Sequence, residues 1–170
     1  MKRLTLMRHG DAQWKDPDVA DFVRPLNRRG SGEAEAMARR ISELSLVPDL
    51  IIASPARRAQ QTAEIIAREL ALPHRSIRYE EGLYLAAAQE ILKLVRAVGP
   101  RVPHLMIIGH NPGISELAHL LAPRGETSGL ATAGLCTITF DTDQWPKVGP
   151  SVVRDSLSET PPSRLFSLFA

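Results

Sequence analysis

Apolar positions along the chain fall into two rhythms that take turns. Mainly apolar runs at 3–7, 49–53 and 105–109 are too short for a membrane span or a long helix, and their composition suits strands covered on both faces. Between them the period changes. Ala34, Met37, Ala38, Ile41 and Leu44 recur at three- and four-residue steps, predicting an amphipathic helix over 31–46 that Pro48 closes. Ser54 and Pro55 follow the second run directly. A serine N-cap with proline in the first helical position predicts a helix starting at the strand's end, with Ala59, Thr62, Ala63, Ile66 and Leu70 facing inward. Helical patterns return over 89–98 and again with Ile114, Leu117, Ala118 and Leu121. Ile77 and Tyr79 suit a short strand, and residues 135–140 alternate as a further one.

The remaining stretches are polar. Residues 11–29 read as a loop, long for a compact domain, and long loops often carry function. Residues 141–162, rich in Pro, Ser and Asp, read as irregular, and 164–169 fits either a terminal edge strand or a short amphipathic tail. Strands alternating with helices predict a three-layer α/β/α sandwich on a mostly parallel sheet of five to six strands. At 170 residues, with no repeat or linker, one domain over 1–170 is expected.

Composition narrows the function classes. A balance of 21 Lys and Arg against 19 Asp and Glu leaves a net charge of only +2, so charge does not argue for nucleic acid. The cations are mostly arginine, the better fork for phosphate or carboxylate. A single cysteine, Cys136, excludes an intrachain disulfide and suits a reducing compartment. Arg8 and His9 interrupt the first apolar run, so no signal peptide is expected, and no run reaches spanning length. The cytoplasm is the expected compartment, with no membrane or nucleic-acid partner.

Three strand ends carry polar groups of compatible chemistry: Arg8 and His9 after the first run, Arg58 one helical turn past the second, and His110 after the third. In a parallel sheet these ends face one side, where ligands of open α/β sheets bind. Two histidines and two arginines there form a cationic cup for a dianionic phosphoryl group, helped by the positive end of the helix after Pro55. Neighbouring arginines would keep an imidazole neutral and nucleophilic near pH 7. A second, protonated imidazole would donate to a phosphoryl oxygen.

Leu6 to Gly10, Ser54 to Ala63 and Ile108 to Gly113, in that order, resemble the histidine phosphatase superfamily with its phosphoglycerate mutase-like fold. Its compact SixA-type branch of phosphohistidine phosphatases is the nearer match, through Arg8 to Ala12, Arg24 to Leu26 with Gly30 beyond, and Glu81 to Tyr84. The resemblance covers about residues 3–140 and fades over 141–170. It implies that His9 is the nucleophile that becomes phosphorylated, that Arg8, Arg58 and His110 complete the phosphate pocket with Arg24 beside it, and that Glu81 stands where the family keeps a proton-donating acid. Arg58, not Arg57, stands four residues after Ser54, at the motif position. No cofactor and no metal are implied, and a protein carrying phosphohistidine is the implied partner.

About fifty residues separate Arg58 from His110, leaving little for the capping insertion of the sugar-phosphate mutases. An open pocket suits a phosphorylated side chain on a protein, with small phosphate monoesters as the alternative substrates. A metal hydrolase is disfavoured, because the five histidines include no i, i+4 helical pair and no tight cluster; His74, His104 and His119 read as surface or packing residues. A non-catalytic phosphoprotein-binding module would use the same cup, but would have no need of a nucleophile at His9.

Overall fold

The computed structural model describes residues 1–123 and 129–163, and among them six strands form one sheet. They are β1 (Lys2–Arg8), β2 (Leu50–Ala53), β3 (Ile77–Tyr79), β4 (His104–Gly109), β5 (Leu135–Phe140) and β6 (Val153–Glu159). The four longer helices are α1 (Arg28–Glu43), α2 (Arg57–Glu69), α3 (Ala88–Arg96) and α4 (Gly113–Leu121). Alternation along the strands sorts the layers. Leu105 and Ile107 of β4 join α3 and α4 in one core, while Met106 and Ile108 join α1 and α2 in another on the opposite face. Every residue of β4 and β5 is buried. Each Leu, Ile or Met so covered contributes roughly 1.5–3 kcal/mol of transfer free energy.

The strand order is β3-β2-β4-β1-β5-β6. β3, β2, β4 and β1 are mutually parallel, whereas β5 runs antiparallel to both β1 and β6. The expected three-layer sandwich on a mostly parallel sheet is therefore the fold. No helix among the described residues is long and apolar enough to cross a membrane.

Three local readings change. Helix α1 starts at Arg28 rather than Ser31, because the Asn27 side chain caps it by accepting from Gly30 N at 2.8 Å. Helix α2 starts at Arg57 with Ala56 as its N-cap residue; the Ser54 hydroxyl accepts from Ala56 N just ahead of the helix, at 3.3 Å, and also meets a second partner at the strand ends. The stretch 141–162 is not irregular throughout, since it contains β6 and the fully buried Trp145, whose indole donates to Val102 O at 2.9 Å. As an edge strand β6 is mostly exposed and lacks an apolar face, so its sequence carries no strand rhythm. The alternative readings of 164–169 lie outside the described residues.

Candidate active site

Register alone brings the two expected histidines together. β1 and β4 are parallel neighbours with Arg8 opposite Gly109, so His9 and His110 leave the sheet side by side, their ring centroids 5.1 Å apart. β2 flanks β4 on its other side with Ala53 opposite Ile108, which sets Ser54 next to His110. Arg58, in the first turn of α2, is 2% exposed and reaches back between the two rings, while Arg57 faces solvent.

The hydrogen bonds dictate both tautomers. His9 Nδ1 lies 2.7 Å from the Gly10 carbonyl, which can only accept, so Nδ1 holds the ring proton and Nε2 keeps its lone pair. Arg58 Nε donates to that Nε2 at 3.3 Å. Another Arg58 nitrogen lies 3.3 Å from His110 Nδ1; a guanidinium can only donate, so His110 Nδ1 accepts and its Nε2 donates to Ser54 Oγ at 2.7 Å. Both rings are neutral. Burial above all, reinforced by the charges of Arg58, Arg8 and Arg24 against the opposing pull of the Gly10 carbonyl, holds the His9 pKa down at about 4. Burial again, then His9 and Arg58, lowers that of His110 to about 3. The arginines reinforce this depression, but desolvation is its main source.

These groups line a cleft of about 440 Å³ with Arg8 and Arg24 on its walls. Arg8 donates to Leu130 O at 3.3 Å, and Arg24 donates to Gln13 O at 2.9 Å. The Nε atoms of both arginines are buried without an acceptor. Unmet buried donors are costly.

Five of the six expected residues, Arg8, His9, Arg24, Arg58 and His110, thus meet in one cleft. Glu81 does not join them. It is exposed on a short helical turn, Glu81–Leu83, that is capped by the neighbouring Glu80 side chain. The same segment delivers Tyr84 instead, whose hydroxyl donates to Asp21 Oδ2 at 2.7 Å. Asp21 is a cleft residue that sequence reasoning missed, as is Ser54 in its role beside His110. Asp21 also accepts from Arg58 at 2.9 Å and from Arg24 at 3.1 Å; against burial, which raises it, the contacts with Tyr84, Arg58 and Arg24 hold its carboxyl well below the usual carboxylate range. The available signal was spacing: Asp21 precedes Arg24 by one turn of chain, and Tyr84 closes the block containing Glu81.

The loop that delivers Asp21 and Arg24 is anchored by a backbone crossing. A Cβ on Gly10 would stand 2.7 Å from Gly30 O, and one on Gly30 only 2.0 Å from Asp11 O. Only glycine permits so close an approach. Of the other histidines, His74 and His119 are exposed, and His104 is buried at the far end of β4, its Nε2 2.8 Å from Thr5 Oγ1. Among the described residues no group of three or more His, Cys, Asp and Glu side chains could hold a metal ion.

Paired imidazoles and arginines at the carboxyl ends of neighbouring parallel strands, on a sandwich with this strand order, define a phosphoglycerate mutase-like α/β protein. The chain belongs to the histidine phosphatase superfamily, whose branch 1 sequence model matches residues 4–84. It is 30% identical over 144 residues to the phosphohistidine phosphatase SixA of Escherichia coli K12, covering 80% of this chain and 84% of that one. A solved structure described as a phosphohistidine phosphatase SixA from Agrobacterium tumefaciens superposes with a TM-score of 0.75 at 31% identity, covering 82% of this chain and 92% of the other. An uncharacterized chloroplastic protein of Arabidopsis thaliana is 27% identical over 129 residues; the match spans 71% of this chain and 59% of that one.

Proposed function

We propose that the protein hydrolyses phosphohistidine on a partner protein through a covalent phospho-His9 intermediate. The observation that carries this reading is the unprotonated Nε2 of His9, presented to a cleft whose other walls are arginine and imidazole. An incoming phosphoryl dianion draws Arg58 off that lone pair by accepting its N–H groups, together with those of Arg8 and Arg24. His9 Nε2 then bonds to phosphorus as the bond to the leaving group breaks, while Nδ1–H on Gly10 O fixes the ring and stabilises the charge it acquires. Water attacks phosphorus in the second half-reaction, the P–Nε2 electron pair returns to His9, and inorganic phosphate leaves. His110 releases Ser54 or gains a proton as the dianion arrives, and donates to a phosphoryl oxygen.

Between Arg58 and His110 the chain forms the rest of α2, β3, α3 and β4 with short helical turns at 74–76 and 81–83, which leaves no room in this interval for a capping insertion over the cleft. That openness favours a phosphorylated protein side chain over a small enclosed ester. His9→Ala is expected to abolish both turnover of a phosphohistidine protein and acid-labile ³²P labelling of the enzyme, with the wild type active after exhaustive chelation. Undiminished activity in His9→Ala sinks the covalent route, loss on chelation sinks the metal-free one, and preference for sugar phosphates sinks the substrate assignment.

A further inference from the structure

A carboxylate inside a cationic phosphate cup calls for an explanation. Asp21 lines the cleft, its side chain 34% exposed, and is gripped by Arg58, Arg24 and Tyr84. Holding Arg58 in place does not require it, because the Asp21 backbone carbonyl already accepts from Arg58 at 2.7 Å. Toward a phosphoryl dianion the carboxylate is repulsive, and it partly cancels the charge of the arginines meant to attract one. Arg24 likewise has a second anchor on Gln13 O at 2.9 Å, so a benefit that outweighs this repulsion is to be sought in another part of the substrate. Of the four acceptor positions of a carboxylate, the contacts from Arg58 and Tyr84 use two on Oδ2 and that from Arg24 one on Oδ1, leaving one on Oδ1.

Resting on the phosphohistidine reading, we infer that Asp21 is a specificity-determining residue that accepts a hydrogen bond from the cationic leaving group of a phosphoramidate and so selects P–N over P–O substrates. An imidazole phosphorylated on one nitrogen stays basic at the other, and its protonated form presents an N–H⁺ away from phosphorus. The lone pair of His9 Nε2 forms the new bond to phosphorus. The P–N bond breaks with its electron pair on the substrate ring, which leaves as neutral imidazole still protonated at the remote nitrogen. Asp21 moves no proton, and no separate acid is needed, in keeping with the exposed position of Glu81 outside the cleft. An ester departs as an alkoxide or phenolate, which a fixed carboxylate repels and cannot protonate.

The test compares phosphoimidazole with 4-nitrophenyl phosphate as substrates of the full-length enzyme. In Asp21→Asn, which keeps size and one oxygen but removes charge, the ratio of kcat/KM for phosphoimidazole to that for the aryl phosphate is expected to fall about tenfold to hundredfold. An unchanged ratio, with both rates lowered together by a disturbed Arg58, overturns the inference and leaves the phosphohistidine reading standing. A wild-type enzyme that cleaves the aryl phosphate but not phosphoimidazole overturns the reading itself, and the inference with it. A further measurement needs no variant. Phosphoimidazolium methylated at the remote nitrogen carries the charge without the N–H; wild-type turnover is expected to drop at least about tenfold, and equal turnover excludes the contact.

Discussion

At the scale of single residues, the reactive feature of this protein is which nitrogen of each imidazole carries the proton. The Gly10 carbonyl assigns the His9 proton to Nδ1, and the Arg58 guanidinium assigns that of His110 to Nε2. Burial keeps both rings neutral well below the ordinary histidine range. The nucleophile therefore needs no deprotonation at neutral pH. Titration followed by ¹⁵N NMR is expected to show His9 as the Nδ1–H tautomer, with a midpoint near 4. A midpoint close to 6.5 contradicts the arrangement. Ser54 precedes His110 by 56 residues, so no local pattern marks it as the partner of that ring. That contact exists because β2 and β4 are adjacent with Ala53 opposite Ile108.

At the scale of elements, the cleft depends on one loop being pinned. Residues between β1 and α1 carry Asp21 and Arg24, and the loop is held where Gly10 and Gly30 cross. Gly30→Ala forces a methyl group to 2.0 Å from Asp11 O, so it is expected to cost at least about 1–3 kcal/mol and to weaken phosphate binding as the loop shifts. Gly32, one helical position pair further along α1, meets nothing within 4 Å. Gly32→Ala should instead stabilise the protein by roughly 0.5–1 kcal/mol, through helix propensity alone. Urea melts of the two variants check both signs, and equal effects would show that the crossing does not constrain the loop. Spacing of apolar residues made α1 legible, but its start depended on the Asn27 cap. Ser54, the better-looking cap of α2, bonds Ala56 N and His110 instead of a helical N–H, and the helix begins later than its sequence suggests.

At the scale of the whole molecule, burying three imidazoles links stability to pH. His9 and His104 are lowered to about 4 and His110 to about 3, each chiefly by burial, against 6.5 when unfolded. Below 6.5 the unfolded chain therefore binds more protons than the native one, and stability falls with falling pH until the native rings themselves titrate. Each ring adds a slope of about 1.4 kcal/mol per pH unit inside that window. Denaturant melts at pH 7 and pH 5, above the carboxylate range, should show a marked loss at pH 5; equal stability would argue against neutral buried rings. His104 takes part at the opposite end of the sheet from the cleft, so the loss belongs to the fold as well as to the site.

Hydrophobic rhythm depends on the chain's own neighbours, so the sequence by itself determined the alternation of strands and helices and the layered α/β architecture. It also determined that Arg8, His9, Arg58 and His110 emerge at strand ends or one turn beyond. The exposed β6, with no apolar face to reveal it, became a strand only by pairing with β5. Tertiary structure alone decided the order in which strands lie, and with it that β1, β4 and β2 are neighbours presenting His9, His110 and Ser54 together. It likewise brought Asp21 and Tyr84, 63 residues apart, into one hydrogen bond and left Glu81 in solvent. Contacts of that kind follow from where distant segments pack, and a one-dimensional pattern holds no distance between them.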